Sequence, residues 1–362
     1  MTQHPQNSST QLPQAQDAYR RLQLDEALTG YTRLLEIDPN HYDAQVGVAR
    51  TLIRQRRQAE ALAAAQRAVE LDPARYEGHA ALAVLYFLTD DLDKAEAAVQ
   101  RAIALAPTEP EPHLTHSQIR ADRKAFDEAR TELDAAREQI LHIADDDLRQ
   151  EMLAFAAHTE TYLLLAEGKG DDARAVAQSV IALEEANPHA ACLAYSNLGI
   201  LEARARRYGP AVEYLERAFE MNPYLEGAGT TLGRLLILRG DPARAAEVLS
   251  KLMENPCVHG GAPHLAYGLA LARTGRRQEA LVQYRQALDE GLHGSNAIMA
   301  RWQLIWLSTT GRLVVIGLAL AGLAAWLIWG NPSSQVLTLL VMLAVILVLQ
   351  QLWNRSRPAR PR

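Results

Sequence analysis

The sequence predicts an all-α chain in two parts: a solenoid of about eight helix–turn–helix units, followed by two transmembrane helices. Three observations predict it. Alanines and prolines recur in phase at a step of 34 residues through most of the chain. A run of 42 residues, Leu313–Asn354, carries no charged side chain. Apolar residues make up 48% and charged residues 22% of the 362 residues, enough apolar content to bury a core.

The repeat emerges when segments are aligned on an alanine twelve residues before a proline. Ala27 pairs with Pro39, Ala61 with Pro73 and Ala95 with Pro107, and both members step by 34. Ala129 continues the series without a proline, Ala211 pairs with Pro223, and Ala245 and Ala280 follow at steps of 34 and 35. Ala173, in GKGDDARAVAQSVIALEEANP, lies between at intervals of 44 and 38. Twelve positions before each alanine stands a small or fairly small residue: Ala15, Ala49, Ala83, Ser117, Thr161, Gly199, Gly233 and Gly268. Five positions before it, Gly168, Gly240 and Gly275 suit a turn, whereas Asp90 and Arg206 depart from glycine. This unit resembles the tetratricopeptide repeat, over residues 11–293, most closely at YSNLGILEARARRYGPAVEYLERAFEMNP. The resemblance implies a right-handed superhelix in which each helix pair buries its apolar stripe against its neighbours. It also implies that the first helix of each unit lines a concave groove. The ten-residue excess around HIADDDLRQ predicts irregularity near 139–170, with Asp145–Asp147 capping a new helix. Residues 1–10 are polar and read as a disordered tail.

The uncharged run divides at GNPSSQ, giving spans of 17 and 18 residues, about 26 Å each as helices. That approaches the hydrocarbon thickness and predicts a transmembrane hairpin over 313–353. Trp329 and Trp353 sit at span ends, where interfacial aromatics belong. Gly317, Ala321 and Ala325 form a small-residue face suited to close helix approach. Residues 294–312, with Trp302 and Trp306, read as a capping or interfacial helix, and 354–362 as a basic cytoplasmic tail. Arginines flank the hairpin on both outer sides and none lies in its turn, which places both termini in the cytoplasm of an inner-membrane, two-span protein. The N-terminus has no secretory signal. Arginine far exceeds lysine, a composition that points to a bacterial source.

The net charge is −6, and the six arginines beyond Asn296 meet no acid, which leaves −12 on the first 295 residues. That excludes a generally basic nucleic-acid binder. Two cysteines, Cys192 and Cys257, exclude a disulfide scaffold and read as core residues. No catalytic, metal or cofactor constellation is assembled. His113 and His116 lack a third ligand and read as surface histidines, and GKGDD lacks the residues of a phosphate loop. The chain is therefore expected to bind rather than catalyse.

Carried onto this sequence, the groove positions of the resemblance are Arg20, Arg50, Arg54, Arg204, Arg234 and Arg273, with Ala80, Val84 and Phe87 as an apolar patch. Arginines gathered in the concavity of an acidic body suggest an acidic protein or peptide ligand, and the alternative is that they pair with nearby acids. The expected function is a membrane-anchored adaptor or scaffold, in contact with the lipid bilayer and with a protein partner and not with nucleic acid. The alternative is a structural subunit or assembly factor whose hairpin packs against other subunits of a membrane complex.

The hairpin makes a topological prediction. A cysteine introduced by Ser333→Cys should react with an impermeant maleimide only from the far side of the membrane, and Arg357→Cys only from the cytoplasmic side. Labelling of both from one side would mean that the segment spans nothing.

Overall fold

A computed structural model describes residues 8–255, 258 and 260–308, with isolated positions between 312 and 322. The described residues form helices and no strands. They divide into two compact units, residues 1–258 and 259–362.

The first unit holds seven antiparallel pairs. They are α1 (Ser8–Arg20) with α2 (Leu24–Ile37), α3 (Tyr42–Arg54) with α4 (Gln58–Leu71), α5 (Tyr76–Leu88) with α6 (Leu92–Leu105), and α7 (Pro110–Asp122) with α8 (Phe126–Leu141). Then come α9 (Asp146–Ala166) with α10 (Gly170–Ile181), α11 (Pro188–Arg204) with α12 (Tyr208–Met221), and α13 (Glu226–Leu238) with α14 (Pro242–Met253). Helix α1 starts at Ser8, inside the segment read as a polar tail. The extra residues of the middle lengthen α8 to 16 and α9 to 21 residues, and Asp145 caps α9 by accepting from the Leu148 amide at 2.9 Å. The second unit holds α15 (Gly261–Arg273), α16 (Arg277–Asp289) and α17 (Gly294–Leu307).

The phased alanines are the pivots of the packing. Ala27, Ala61, Ala95, Ala129, Ala173, Ala211, Ala245 and Ala280 are all fully buried. Four residues on, one turn along the same face, stands the side chain that fills the pair's interface. Where that residue is large, the position facing it is small. A Cβ on Gly199 would lie 2.5 Å from Leu215, and one on Gly233 would lie 2.6 Å from Leu249. Where the filler is Ala65 or Ala177, the facing residue is Ala49 or Thr161. Ser117, buried at its pivot, donates its hydroxyl to the Ala129 carbonyl at 2.8 Å.

Every turn within a pair holds one residue with positive φ, five before the pivot alanine. Gly168, Gly240 and Gly275 fill three of these positions. Leu22, Arg56, Asp90, Lys124 and Arg206 fill the others, at φ of 59–61°. The departures from glycine therefore do not change the turn. The backbone is driven into the left-handed region by the flanking helices, at a cost of about 1 kcal/mol per residue.

In the second unit, Ala297 and Ala300 are buried and α17 packs on α16. The opposite face is exposed and apolar, with Ile298 at 67%, Trp302 at 54% and Ile305 at 42% exposure. Trp302 and Trp306 stack with ring centroids 6.2 Å apart. Gly317 is helical. Ala321, Ala325, Trp329 and Trp353, with nearly all of the expected hairpin, lie outside the described residues. Among the described residues no helix is long and apolar enough to cross a membrane.

These contacts set two opposed expectations. Lys124→Gly and Arg206→Gly should each raise thermal stability, by about 0.5–1 kcal/mol, since glycine adopts the turn without strain. Gly233→Val should lower it by about 1–3 kcal/mol through overpacking against Leu249. Chemical denaturation monitored by circular dichroism checks both.

Candidate functional site: a groove lined by first helices

The first helices of successive units form the wall of a groove of about 600 Å³ in the first unit. Tyr19 and Arg20 come from α1, Arg50 from α3, Tyr76 and Glu77 from α5, Glu111 from α7, and Glu151 and Met152 from α9. Its inner end is a smaller cavity of about 150 Å³ that shares Tyr19, Arg50, Glu111, Glu151 and Met152 with the outer part.

Ion pairs cross this groove between units that are not neighbours. Arg50 on α3 donates to Glu111 on α7 at 2.6 Å, and Arg20 on α1 stands 3.6 Å from Glu151 on α9. Arg75 instead joins neighbouring units, binding both Asp43 and Glu77, at 2.9 and 2.5 Å, and lying over the Tyr42 ring. The Arg50 and Arg20 crossings require a tightly wound superhelix. Its path returns on itself: the Tyr224 hydroxyl, in the turn before α13, donates to Asp25 of α2 at 3.0 Å.

Arg54 differs. Its guanidinium lies 3.7 Å over the Tyr19 ring, and Nη1 donates to the Tyr19 carbonyl at 2.9 Å. Among the described residues it has no carboxylate partner, and burial lowers its pKa. Burial also penalises a charge on Arg50, but Glu111 outweighs it and raises that guanidinium. Burial pushes the Glu151 carboxyl up toward its neutral form. It drives His189 well below its ordinary value, helped by the nearby charges of Arg54, His158 and Arg56. His158, stacked on Phe155, falls to about 4 for the same reason, burial.

The structure thus brings together three of the six expected arginines, Arg20, Arg50 and Arg54. Arg204, at the end of α11, and Arg234, on α13, are exposed and line neither part of the groove. Arg273 is exposed at the end of α15, in the second unit. Arg20 and Arg50 pair with acids on the opposite wall rather than offering free charge. The outer lining carries Asp43, Glu77, Glu109, Glu111 and Glu151 against these two arginines, so it does not attract acidic ligands. Of the apolar patch, Ala80 is buried between helices and Val84 lines the inner cavity. Phe87 packs edge-on against Tyr162 with centroids 5.9 Å apart.

Two further expectations are corrected or refined. His113 and His116 are not surface residues. His116 is buried between Glu96 at 2.9 Å and Glu132 at 3.0 Å, and His113 meets Glu132 at 2.6 Å, so the histidines tie α7 to α6 and α8. No metal-holding group is found among the described residues. Cys192 is fully buried, its thiol donating to the Ala218 carbonyl at 3.3 Å, while Cys257 lies outside the described residues.

Residues 12–76 and 49–110 match the tetratricopeptide repeat family. No curated protein matches the chain in sequence. Among solved structures, a chain of the APC/C hetero-tetramer Cut9-Hcn1 aligns with a TM-score of 0.57 at 16% identity, over 82% of this chain and 55% of that one. This chain thus spans about half the length of that relative. The human IFIT1 dimer with m7Gppp-AAAA aligns with a TM-score of 0.53 at 16% identity, over 91% and 80%. A monomeric IFIT1 mutant with Gppp-AAAA gives 0.54 at 15%, over 91% and 79%. At these identities the likeness establishes the fold, a helical-repeat solenoid.

The histidine cluster makes a pH prediction. Burial opposes a charge on His116, but hydrogen bonds to Glu132 and Glu96 raise its pKa. Burial likewise opposes ionisation of Glu132, yet both histidines hold it down at about 2. A raised histidine stabilises fully below its unfolded value and loses that contribution as pH rises through the folded one. His116→Gln should therefore cost about 1–3 kcal/mol near pH 6, and the gap should close toward pH 9. In the wild type, the Glu132 contribution should be lost only as pH falls from about 4.5 toward about 2. Urea denaturation across pH measures both.

Proposed function

We propose that this chain is an adaptor that binds a protein partner in the groove of its solenoid, without catalysis, and holds it at the cytoplasmic face of an inner membrane. The observation that carries this reading is the groove itself. It is open, about 600 Å³, and walled by tyrosines and charged side chains that the scaffold holds in fixed pairs. Aromatic rings and arginines on a rigid wall offer contact area at little entropic cost. The match of residues 12–110 to a repeat whose members serve as interaction modules supports it.

The anchor in this reading is the uncharged segment 313–353, whose two spans keep Arg301, Arg312, Arg355 and Arg357 on one side. The exposed Trp302 face of α17, directly before it, suits the lipid interface. Anchoring raises the effective concentration of the partner near membrane machinery. A protein ligand is favoured over nucleic acid because the acids of the outer groove repel phosphates. The IFIT1 structures hold capped oligonucleotides, and that property stays with IFIT1.

The test is site-specific photo-crosslinking in native membranes. A crosslinker at Tyr76 or Gln139 on the groove should capture a protein. The same group at Arg101, exposed on α6, should not. Equal capture from both positions, or none from the groove, overturns the reading. Replacing 313–353 by an unrelated anchor should leave capture intact.

A further inference from the structure

Helix α17 is apolar on two opposite faces. Ala297 and Ala300 are buried, on the side that packs against α16. On the other side Ile298, Trp302 and Ile305 stand exposed in one row, at i, i+4 and i+7. Met299 widens the row, and the rings of Trp302 and Trp306 stack with their planes 11° apart into one flat apolar surface. A helix on the surface of a soluble domain turns a polar face outward. Here Arg301 and Gln303 stand only at the borders of the row, and its centre is apolar throughout.

Charge, reach and direction decide what meets this row. Glu290 is the last acid of the chain, and six arginines follow it. A second copy laid on the row would bring arginines and no acid, whereas phospholipid headgroups supply the opposite charge. From Leu307, where α17 ends, to Leu313, where the uncharged segment begins, there are six backbone steps, which span at most about 21 Å. An anchor that enters the bilayer at 313 therefore keeps the end of α17 close to the hydrocarbon. The row runs along the helix axis, about 10 Å from Ile298 to Ile305. It is immersed along its whole length only when that axis lies parallel to the membrane.

We infer that α17 lies flat in the headgroup layer of the bilayer, with Ile298, Trp302 and Ile305 among the ends of the acyl chains and Arg301 at the lipid phosphates. The inference rests on the anchor reading given above. It adds an orientation and a second role. A free interfacial helix needs a polar face, because its other side is water. In α17 that side is covered by α16, so the helix can be apolar on both. It is then a layer between lipid and protein, and it seats the helices of the second unit on the membrane rather than leaving them to swing on a tether.

The experiment places an environment-sensitive fluorescent amino acid, one position at a time, in the full-length chain reconstituted in phosphatidylcholine nanodiscs. The positions are Ile298, Trp302 and Ile305 on the row, with Asn296 and Gln303 off it. Each replaces a side chain outside the buried face, and circular dichroism checks that the helices persist. A lipid carrying a nitroxide at the headgroup boundary serves as quencher. The row would sit about 5–10 Å into that boundary, so its emission should shift to the blue and be quenched about threefold or more over Asn296 and Gln303. Equal quenching at all five positions overturns the inference. A blue shift on the row without quenching by the lipid also overturns it, because protein and not lipid then covers the face. If Ser333→Cys reacts from the far side of the membrane while the row stays unquenched, the seat fails and the anchor stands. If Ser333→Cys and Arg357→Cys react from the same side, the anchor falls and the seat with it.

Discussion

The structure depends on one contact repeated in every unit: a small residue of the first helix against the filler side chain of the second. A helix pair of this length cannot bury its apolar face alone, so stacking supplies the core. Close approach within each pair sets the position of the next. Where Leu215 and Leu249 fill the interface, Gly199 and Gly233 make room; where Ala65 fills it, Ala49 suffices. The same tight closure forces the turns, and it holds Leu22, Arg56 and Lys124 in a backbone region that side chains avoid.

Superhelical winding then turns a one-dimensional stack into a site. Units one and five, and units two and four, face each other closely enough for Arg20 to meet Glu151 and Arg50 to meet Glu111. Such pairs, partly exposed, add little to stability. Their role is geometric. They fix Arg20 and Arg50 to one wall and consume their charge, while Arg54 rests on the ring and carbonyl of Tyr19.

The charged residues of the chain thus serve two purposes that composition does not separate. Around His116, buried ions tie three consecutive helices together and leave no room for a ligand. Along the groove, similar residue types stand against open space. The difference is the winding, which closes the first kind of cluster and opens the second.

The sequence by itself determined the phase of the repeat, and with it every pivot alanine, every facing small residue and the turn positions. These are local properties, since a spacing of twelve or five residues within one helix pair fixes which side chains meet. A sign of the groove's acids was also present: Asp43, Glu77 and Glu111 recur at the same step of 34, eighteen before the pivot. Glu151, Asn187 and His189 gave no such sign, because they lie where the phase breaks at intervals of 44 and 38. Only the tertiary structure decided which acid each groove arginine meets. Arg50 and Glu111 are 61 residues apart, and Arg20 and Glu151 lie farther still. Whether they touch depends on the accumulated rotation over several units, a quantity that no single repeat encodes.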